Sequence, residues 1–342
     1  MGKKIKYAVA GLGVGKTHCD AACQSKNAEL FAVCDLQADR LEAAKAKYNG
    51  VLAYESYAEM LANPEIDIIS VCTPSGLHAD MAVQALETGK HVLIEKPIDI
   101  SAERAMLIEQ ARVRTGLKAG VIHQNRFNAV MKPVKEAISD GKLGKLILGN
   151  FAVKWLREQD YYNAGDGWRG TWAMDGGGSL MNQAVHTVDI MQWLMGDVHS
   201  VSSSMGVYNH EIETEDLTVS IIKFKSGAVA TLTSSTCCYP GISTDIQVYG
   251  SNGSIELDGD CLKLWKIIGG DAFEESEMLE SYGGGNAANP SLVLGHAVQI
   301  EDIITAVLED REPLIMPLEA IKSVSIVNAV YKSARSGAEI IL

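Results

Sequence analysis

Short apolar runs alternate with helix-like segments through the first third of the chain. Six runs of mostly apolar residues predict strands, at residues 4–10, 29–35, 51–53, 67–72, 91–94 and 119–122. Between them, apolar residues three and four positions apart predict helices at residues 17–25, 37–48, 56–61, 77–87 and 102–115. Residues 67–72 are apolar almost throughout, as in strands covered on both faces. This alternation predicts an α/β fold with a doubly wound parallel sheet.

The pattern changes after about residue 124. A long strand-like run at residues 145–156 is followed by alternating apolar and polar positions at 217–224, 228–234, 245–249 and 254–257. Further helices are predicted at residues 130–139, 180–194, 294–308 and 318–336, and a polar, glycine-rich loop at 271–290. We therefore expect a first domain over residues 1–124 and a second, of the α+β type with a mainly antiparallel sheet, over residues 125–342.

The charge balance narrows the choice of partners. The 342 residues include 43 acidic and 30 basic ones, a formal net charge of −13. Nucleic acids and anionic membranes both require basic surface, so neither is expected as a partner. No run approaches the roughly 18 to 20 apolar residues of a membrane span. Seven cysteines in mostly apolar contexts predict reduced thiols in a cytoplasm. Neither H-E-x-x-H nor paired C-x-x-C motifs occur, so no metal is expected.

The segment AGLGVGKT, which begins at Ala10, admits two interpretations. It resembles a nucleoside-triphosphate P-loop, and it also resembles the dinucleotide fingerprint G-x-G-x-x-G with its third glycine one residue early. In the second interpretation the cofactor loop consists of Gly11, Leu12, Gly13, Val14 and Gly15. Either way, phosphate groups would meet backbone N–H groups at the start of a helix.

Asp35 favours the dinucleotide interpretation. It ends the second predicted strand, roughly 20 residues after the first glycine, where a carboxylate accepts hydrogen bonds from the adenosine ribose. A plain strand-end turn residue is the alternative. The same carboxylate would repel a 2′-phosphate, so NAD(H) is favoured over NADP(H). Arg40 leaves NADP(H) open, because its side chain can reach toward such a phosphate.

Three later segments carry a family resemblance: CTPSGLH from Cys72, GKHVLIEKP from Gly89, and GGGSLMNQAVHTVD from Gly176. Together with the shortened glycine loop, they resemble the glucose–fructose oxidoreductase / inositol dehydrogenase / MocA (Gfo/Idh/MocA) family over nearly the whole chain. The resemblance implies an NAD(P)-binding Rossmann domain followed by a substrate-binding and oligomerisation domain. It also implies a homodimer or homotetramer.

The resemblance further implies a set of site residues. The catalytic residues would be Lys96, His186 and Asn182, the last standing where family members usually carry an aspartate. Besides the glycine loop and Asp35, the cofactor-binding residues would be Thr73, Pro74, His78, Glu95 and Lys96. The substrate-binding residues would be Lys96, Arg126, Tyr161, Trp168, Arg169, Asn182 and His186. Read without the resemblance, Lys96 fits a solvated turn, His78 a helix-start surface residue, His186 a structural histidine and the aromatic residues ordinary core.

These residues predict hydride transfer between nicotinamide and a hydroxyl-bearing carbon of a cyclic polyol, sugar or glycoside. Lys96 would hold the oxygen and stabilise its charge, and His186 would exchange its proton. Two alternatives remain: a lyase or glycosidase that recycles its NAD, and a non-catalytic, cofactor-sensing regulator. The presence of both Lys96 and His186 argues against the regulator.

Overall fold

The computed structural model describes residues 4–164, 167–270 and 290–342. The chain groups into two compact units. The first consists of Met1–Gln124 and Val293–Ile321, and the second of Asn125–Leu292 and Lys322–Leu342. Residues 293–321, which the sequence analysis placed in the second domain, therefore belong to the first unit. The loop predicted at 271–290 lies outside the described residues, apart from Pro290.

The first unit is built on a six-stranded parallel sheet. Its strands are β1 (Ile5–Ala10), β2 (Ala28–Cys34), β3 (Leu52–Tyr54), β4 (Ile68–Val71), β5 (His91–Ile94) and β6 (Ala119–Val121). Their order in the sheet is β3-β2-β1-β4-β5-β6. This is the doubly wound order that the sequence predicted. In such sheets ligands bind beyond the carboxyl ends of the strands, next to the point where the order reverses, here between β1 and β4.

Five helices follow the strands of this sheet in turn. They are α1 (Gly15–Gln24), α2 (Ala38–Lys47), α3 (Tyr57–Ala62), α4 (His78–Glu87) and α5 (Ala102–Thr115). The bounds of α5 illustrate how the sequence sets them. The Ser101 hydroxyl accepts a hydrogen bond from the N–H of Arg104, and Gly116 ends the helix in the left-handed region at φ +70°.

The second unit contains an eight-stranded mixed sheet. Its strands are β7 (Leu146–Lys154), β8 (Val198–Gly206), β9 (Leu217–Phe224), β10 (Val229–Ser235), β11 (Ser243–Gly250), β12 (Gly253–Asp258), β13 (Cys261–Ile267) and β14 (Ile340–Ile341). The order is β13-β12-β11-β7-β10-β9-β8-β14, and β7 pairs parallel to β10 while the other pairs are antiparallel. The mainly antiparallel sheet predicted from the alternating runs is present.

Three helices of the second unit precede or flank this sheet: α6 (Met131–Ser139), α7 (Gln159–Asn163) and α8 (Val185–Met195). The segment predicted as one helix over residues 180–194 begins instead with a π-helical turn, Ser179–Gln183. The regular helix α8 starts only at Val185 and packs against β7 and β11.

Two long helices close the described chain, α9 (Pro290–Leu308) and α10 (Pro317–Ser336). Within the first unit, Ile300, Ile303 and Ile304 of α9 join the apolar core formed by β1, β5 and α1. The Gln299 side chain donates to the carbonyl oxygen of Val121 at 2.9 Å, so α9 is also hydrogen-bonded to β6. Among the described residues, no helix has both the length and the apolar character needed to cross a membrane.

Candidate functional site

The glycine loop of the first unit has the shape that a dinucleotide requires. Gly11 adopts φ +89°, and a Cβ there would lie 2.5 Å from the carbonyl oxygen of Cys72, so only glycine fits. A Cβ on Gly15 would lie 2.8 Å from the Val9 side chain, so Gly15 allows α1 to pack closely on β1. Around Gly13, in contrast, there is open space. The early third glycine therefore does the packing task of the usual one, from a helix that begins at Gly15 instead of the predicted residue 17.

Asp35 lies directly after β2 and faces this loop. One of its carboxylate oxygens accepts the N–H of Leu12 at 2.6 Å, and the other accepts the N–H of Gln37 at 2.9 Å. The Arg40 guanidinium lies 3.4 Å from the first oxygen, so this arginine pairs with the carboxylate. A carboxylate has about four lone-pair sites, and these three contacts leave about one of them for a ribose hydroxyl. The loop and Asp35 thus fit the adenosine half of NAD(H).

A buried carboxylate at the end of β5 joins three parts of the first unit. The same Glu95 oxygen lies 2.9 Å from Nε2 of His18, on α1, and 2.9 Å from Nε2 of His296, on α9. The other oxygen accepts the backbone N–H of Lys96 at 2.9 Å. Because a carboxylate only accepts hydrogen bonds, both Nε2 atoms must donate. We call these three side chains, His18, Glu95 and His296, the Glu95 bridge.

The bridge continues into the core through His18. Its Nδ1 lies 2.9 Å from the Ser70 hydroxyl, which lies 2.5 Å from that of Tyr7. Burial lowers the pKa of His18, although Glu95 opposes this shift. The lowered pKa favours a neutral imidazole, whose Nδ1 accepts a hydrogen bond from the Ser70 hydroxyl. Burial alone would raise the pKa of Glu95, but hydrogen bonds from the two histidines hold it well below its ordinary value. Glu95 is therefore an ionised, fully buried anchor directly before Lys96.

The Glu95 bridge also has the composition of a metal site. Its ligand atoms lie within 4.8 Å of one another, and two histidines with a glutamate are ligands that zinc accepts. The 2.9 Å separations between nitrogen and oxygen are ordinary hydrogen-bond distances. The geometry therefore describes a hydrogen-bonded bridge. Sequence motifs missed it, because His296 stands far along the chain without any spacing signal.

Lys96 emerges from this buried surrounding. Of residues 92–99, it alone is not buried. The peptide bond between Lys96 and Pro97 is cis. The carbonyl oxygens of Pro97 and Thr73 lie 2.7 and 2.8 Å from the two ring nitrogens of His78. His78 is buried at the start of α4, so it is not the surface residue of the alternative interpretation, and it ties the two cofactor-motif segments together.

The glycine run of the second unit is needed for packing. A Cβ on Gly177 would lie 1.9 Å from the Tyr331 hydroxyl, and one on Gly178 would lie 2.0 Å from the carbonyl oxygen of Glu215. The Glu215 carboxylate accepts the N–H groups of Gly178 and Leu180 and the Tyr331 hydroxyl. The sequence analysis identified neither Glu215 nor Tyr331, since nothing in the local pattern points to them.

Asn182 and His186 are the accessible residues of the following segment. Of residues 175–192, they alone are not buried. Asn182 lies in the π-helical turn and His186 in the first turn of α8, so the two residues do not belong to one regular helix. The Asn182 amide donates to the carboxylate of Asp175, which is itself buried and accepts the N–H of Gly170 at 2.8 Å. A carboxylate is thus present beside Asn182 although position 182 lacks one.

Other predicted residues of this unit have partners inside it. The guanidinium of Arg126, a predicted substrate-binding residue, forms two hydrogen bonds with Asp189, at 2.7 and 2.6 Å, and its charge is balanced there. Tyr161, Trp168 and Arg169 lie together: the Arg169 guanidinium lies 4.8 Å from the Tyr161 ring centre and 5.0 Å from that of Trp168. The Tyr161 hydroxyl lies 3.4 Å from the Asn182 side-chain oxygen, so this group borders Asn182.

Comparison with known proteins gives these features a context. A family model of oxidoreductases with an NAD-binding Rossmann fold matches residues 5–123, and the C-terminal domain model of the GFO/IDH/MocA proteins matches residues 131–256. The chain belongs to the Gfo/Idh/MocA family. It is therefore an NAD-dependent oxidoreductase, and the predicted family, fold class, enzyme class and cofactor are confirmed.

Individual members of the Gfo/Idh/MocA family are similar to this chain over most of its length. The WlbA dehydrogenase from Bordetella pertussis, solved in complex with NADH and UDP-GlcNAcA, is 32% identical, with 99% of each chain covered and a TM-score of 0.88. Myo-inositol 2-dehydrogenase from Thermotoga maritima is 28% identical, covering 74% of this chain and 75% of that protein. The NAD(+)-dependent scyllo-inositol 2-dehydrogenase of Bacillus subtilis is also 28% identical, covering 75% and 74%.

Proposed function

We propose that the chain oxidises a ring hydroxyl of a sugar or cyclic polyol with NAD⁺, or runs the reverse reduction, with Lys96 and His186 as catalytic residues. One observation carries this proposal. Lys96, and Asn182 with His186, are the residues that stay accessible in two otherwise buried segments, 92–99 and 175–192. Partly exposed polar residues in otherwise buried segments are candidates for contact with a ligand.

The residues have separate tasks in this reaction, in which a secondary alcohol and NAD⁺ become a ketone, NADH and a proton. NAD⁺ supplies the hydride acceptor when bound. The Lys96 ammonium donates a hydrogen bond to the hydroxyl oxygen and stabilises the charge that develops on it. His186 takes the hydroxyl proton as general base. Asp175 holds the Asn182 amide, which in turn positions a neighbouring hydroxyl of the substrate.

Most of the remaining predicted residues keep their assignments as part of this proposal, whereas Glu95 and Arg126 take positioning roles. The first unit would hold NAD(H) through the glycine loop, Asp35, Thr73, Pro74, His78 and Lys96, while Glu95 fixes the Lys96 backbone. The second unit would bind the substrate. Within it, Arg126 would act by positioning α8 through Asp189.

A sugar that is linked to a nucleotide is a second candidate substrate. It is favoured because the WlbA dehydrogenase, similar to this chain over its full length, was solved with UDP-GlcNAcA. The inositol dehydrogenases are similar at lower identity and coverage and favour a free polyol.

Assembly and location are also inferred. By strand register, Leu148 of β7, Val229 of β10, and Ile221 and Val219 of β9 lie on one exposed face of the mixed sheet. An exposed apolar face of this kind suits contact with a second copy of the chain, as a homodimer or homotetramer. All seven cysteines are free thiols, which suits a cytoplasmic location.

The test is an absorbance screen for reduced nicotinamide. Purified protein meets NAD⁺, and separately NADP⁺, with inositols, free aldoses, anhydrosugars, glycosides and UDP-linked sugars in turn. We expect NADH to form with one substrate class. Product without net NADH would favour the NAD-recycling lyase or glycosidase. NADH binding without turnover in either direction would contradict the proposal and favour a regulator.

A further inference from the structure

The arginines of the chain fall into two groups by their partners. Six of the nine form an ion pair with a carboxylate: Arg40, Arg104, Arg112, Arg114, Arg126 and Arg311. For the other three, Arg157, Arg169 and Arg335, the described residues provide no such carboxylate, although acidic residues exceed basic ones by 13 in the sequence. All three lie in the second unit, and each stacks on aromatic rings.

Two of these arginines share one ring. The guanidinium carbons of Arg157 and Arg169 lie 5.5 and 4.8 Å from the centre of the Tyr161 ring. We call Arg157, Tyr161, Trp168 and Arg169 the Tyr161 cluster. Two cations held against one ring repel each other, and this arrangement is most favourable when an anion joins them.

The cluster is fixed in place by hydrogen bonds. Arg157 donates to the side-chain oxygen of Gln183 at 2.9 Å, and Gln183 donates in turn to the Tyr161 hydroxyl at 2.7 Å and to the side-chain oxygen of Asn182 at 2.9 Å. This network places the cluster beside Asn182, in the segment that carries the proposed catalytic residues. The guanidiniums are thus positioned before any ligand arrives, which limits the ordering cost of binding.

Arg169 has a donor left over. One of its terminal nitrogens donates to the carbonyl oxygen of Ala164 at 3.2 Å, whereas its buried Nε has no hydrogen-bond partner among the described residues. A buried donor without a partner is costly, and a ligand oxygen removes that cost. Nε with a terminal nitrogen is also one edge of the guanidinium fork, which matches the two oxygens of a carboxylate or phosphate.

From these observations we infer that the Tyr161 cluster is an anion-binding subsite, which selects a sugar substrate carrying a carboxylate or phosphate group. The inference rests on the proposed function for its link to catalysis. The described residues provide neither guanidinium with a carboxylate partner and a neutral polyol would add none, whereas an anionic sugar brings one. The aromatic faces beside them suit the C–H faces of a sugar ring. The cluster thereby distinguishes a charged sugar from a free inositol.

Binding in the presence of NADH tests the inference without requiring turnover. Isothermal titration would compare glucose, glucuronate, glucose 1-phosphate and UDP-glucuronate on the wild-type protein. We expect at least one anionic probe to bind about tenfold or more tightly than glucose, and R157Q and R169Q each to remove about tenfold of that affinity. Glucuronate against glucose 1-phosphate separates a carboxylate from a phosphate subsite.

Arg335→Gln is the matched control, because it removes a stacked arginine that contacts Trp172 and Tyr331 instead of Tyr161. It should leave the preference for anions unchanged. R157K and R169K retain charge without the planar fork, should lose affinity partially, and serve if the glutamine variants do not fold. Equal binding of charged and neutral probes, or equal losses in R335Q and R169Q, would overturn the inference. Anion binding without hydride transfer would contradict the proposed function and leave the subsite standing.

Discussion

Charge is handled differently beside Lys96 and beside Asn182. In the first unit, the Glu95 carboxylate is buried and accepts hydrogen bonds from two histidines and the Lys96 backbone. In the second unit, the Tyr161 cluster contains two guanidiniums for which the described residues provide no carboxylate. The hydrogen bonds around Glu95 fix the position of the Lys96 backbone, whereas the guanidiniums of the Tyr161 cluster are proposed to bind an anionic ligand. We therefore expect the first region to affect every substrate alike and the second to discriminate among substrates.

Removal of the Lys96 ammonium should give the largest effect. Lys96→Ala should lower kcat by about 10²- to 10⁴-fold for every substrate, because charge stabilisation on the oxygen is lost in each reaction. The Kd for NADH should change little. Steady-state kinetics and NADH fluorescence titration measure the two quantities. Lys45→Ala, an exposed lysine on α2, is the control. Near-normal turnover of K96A would refute the assignment.

Changes to the Asn182 amide and its partner, the Asp175 carboxylate, should have the next largest effect. Asn182→Asp restores the usual family residue but places a carboxylate against Asp175, so one of the two would take up a proton. We expect N182D and D175N each to lose about ten- to a hundredfold in kcat through misplaced groups. The double variant, with carboxylate and amide exchanged, should recover most of this activity. Wild-type activity in N182D would show that Asp175 does not supply the local charge.

The cofactor loop should show a smaller, substrate-independent effect. Asp35→Ser removes the carboxylate that accepts the Leu12 N–H and that would repel a 2′-phosphate. NADH should then bind about tenfold more weakly, and the preference over NADPH should narrow. Titration of both cofactors measures this, with Asp39→Ser on α2 as a control. Tighter binding of NADPH by the wild-type protein would contradict the role given to Asp35.

The smallest effect concerns the change in folding stability with pH, and the sign of this change should differ between the two units. The pKa values of His18 and Glu95 are lowered in the folded state, so their stabilisation is lost as the pH falls below about 6.5 and then about 4.5. Burial raises the pKa of Glu215, so its effect is opposite: stability rises as the pH falls through its folded pKa toward 4.5.

All five tryptophans lie in the second unit, so their fluorescence follows that unit while circular dichroism follows both. Acidification from pH 7 to 5 should lower the first unit's melting temperature by about 2–4 °C for each 1 kcal/mol lost, whereas the tryptophan transition should stay level or rise. Glu95→Gln removes the carboxylate that opposes the lowering of the His18 pKa, so this loss of stability on acidification should persist in that variant. Parallel shifts of both transitions would contradict the distinction drawn between the two regions.

Much of the first unit could be predicted from the sequence, because both faces of its sheet are covered and its strands are mostly apolar. The runs at 67–72 and 91–94 became β4 and β5 almost without change. The glycine loop and Asp35 could also be predicted. At Gly11 the backbone conformation and the nearby Cys72 carbonyl exclude residues with a side chain. The break of the helix before His186 was not predicted, because a π-helical turn depends on packing around Glu215 and Tyr331.

The partners of site residues were the main omission. Asp175 precedes a glycine run and gives no signal that its carboxylate will contact Asn182. Arg157 was not selected, although it shares Tyr161 with the predicted Arg169. His296 was missed because local patterns show that α9 is a helix but not which core covers its apolar side. The His296 contact joins residues 201 positions apart, and the other two contacts depend on side-chain placement in loops, which spacing alone does not reveal.

The return of α9 has a consequence for how the protein is made. Two separate stretches of the chain form the first unit. The ribosome synthesises the second stretch only after every strand of the mixed sheet except β14. Until then, the surface that packs against Ile300, Ile303 and Ile304 is exposed to water, and Glu95 lacks its hydrogen bond from His296. We therefore expect chaperones to bind the nascent first unit during translation.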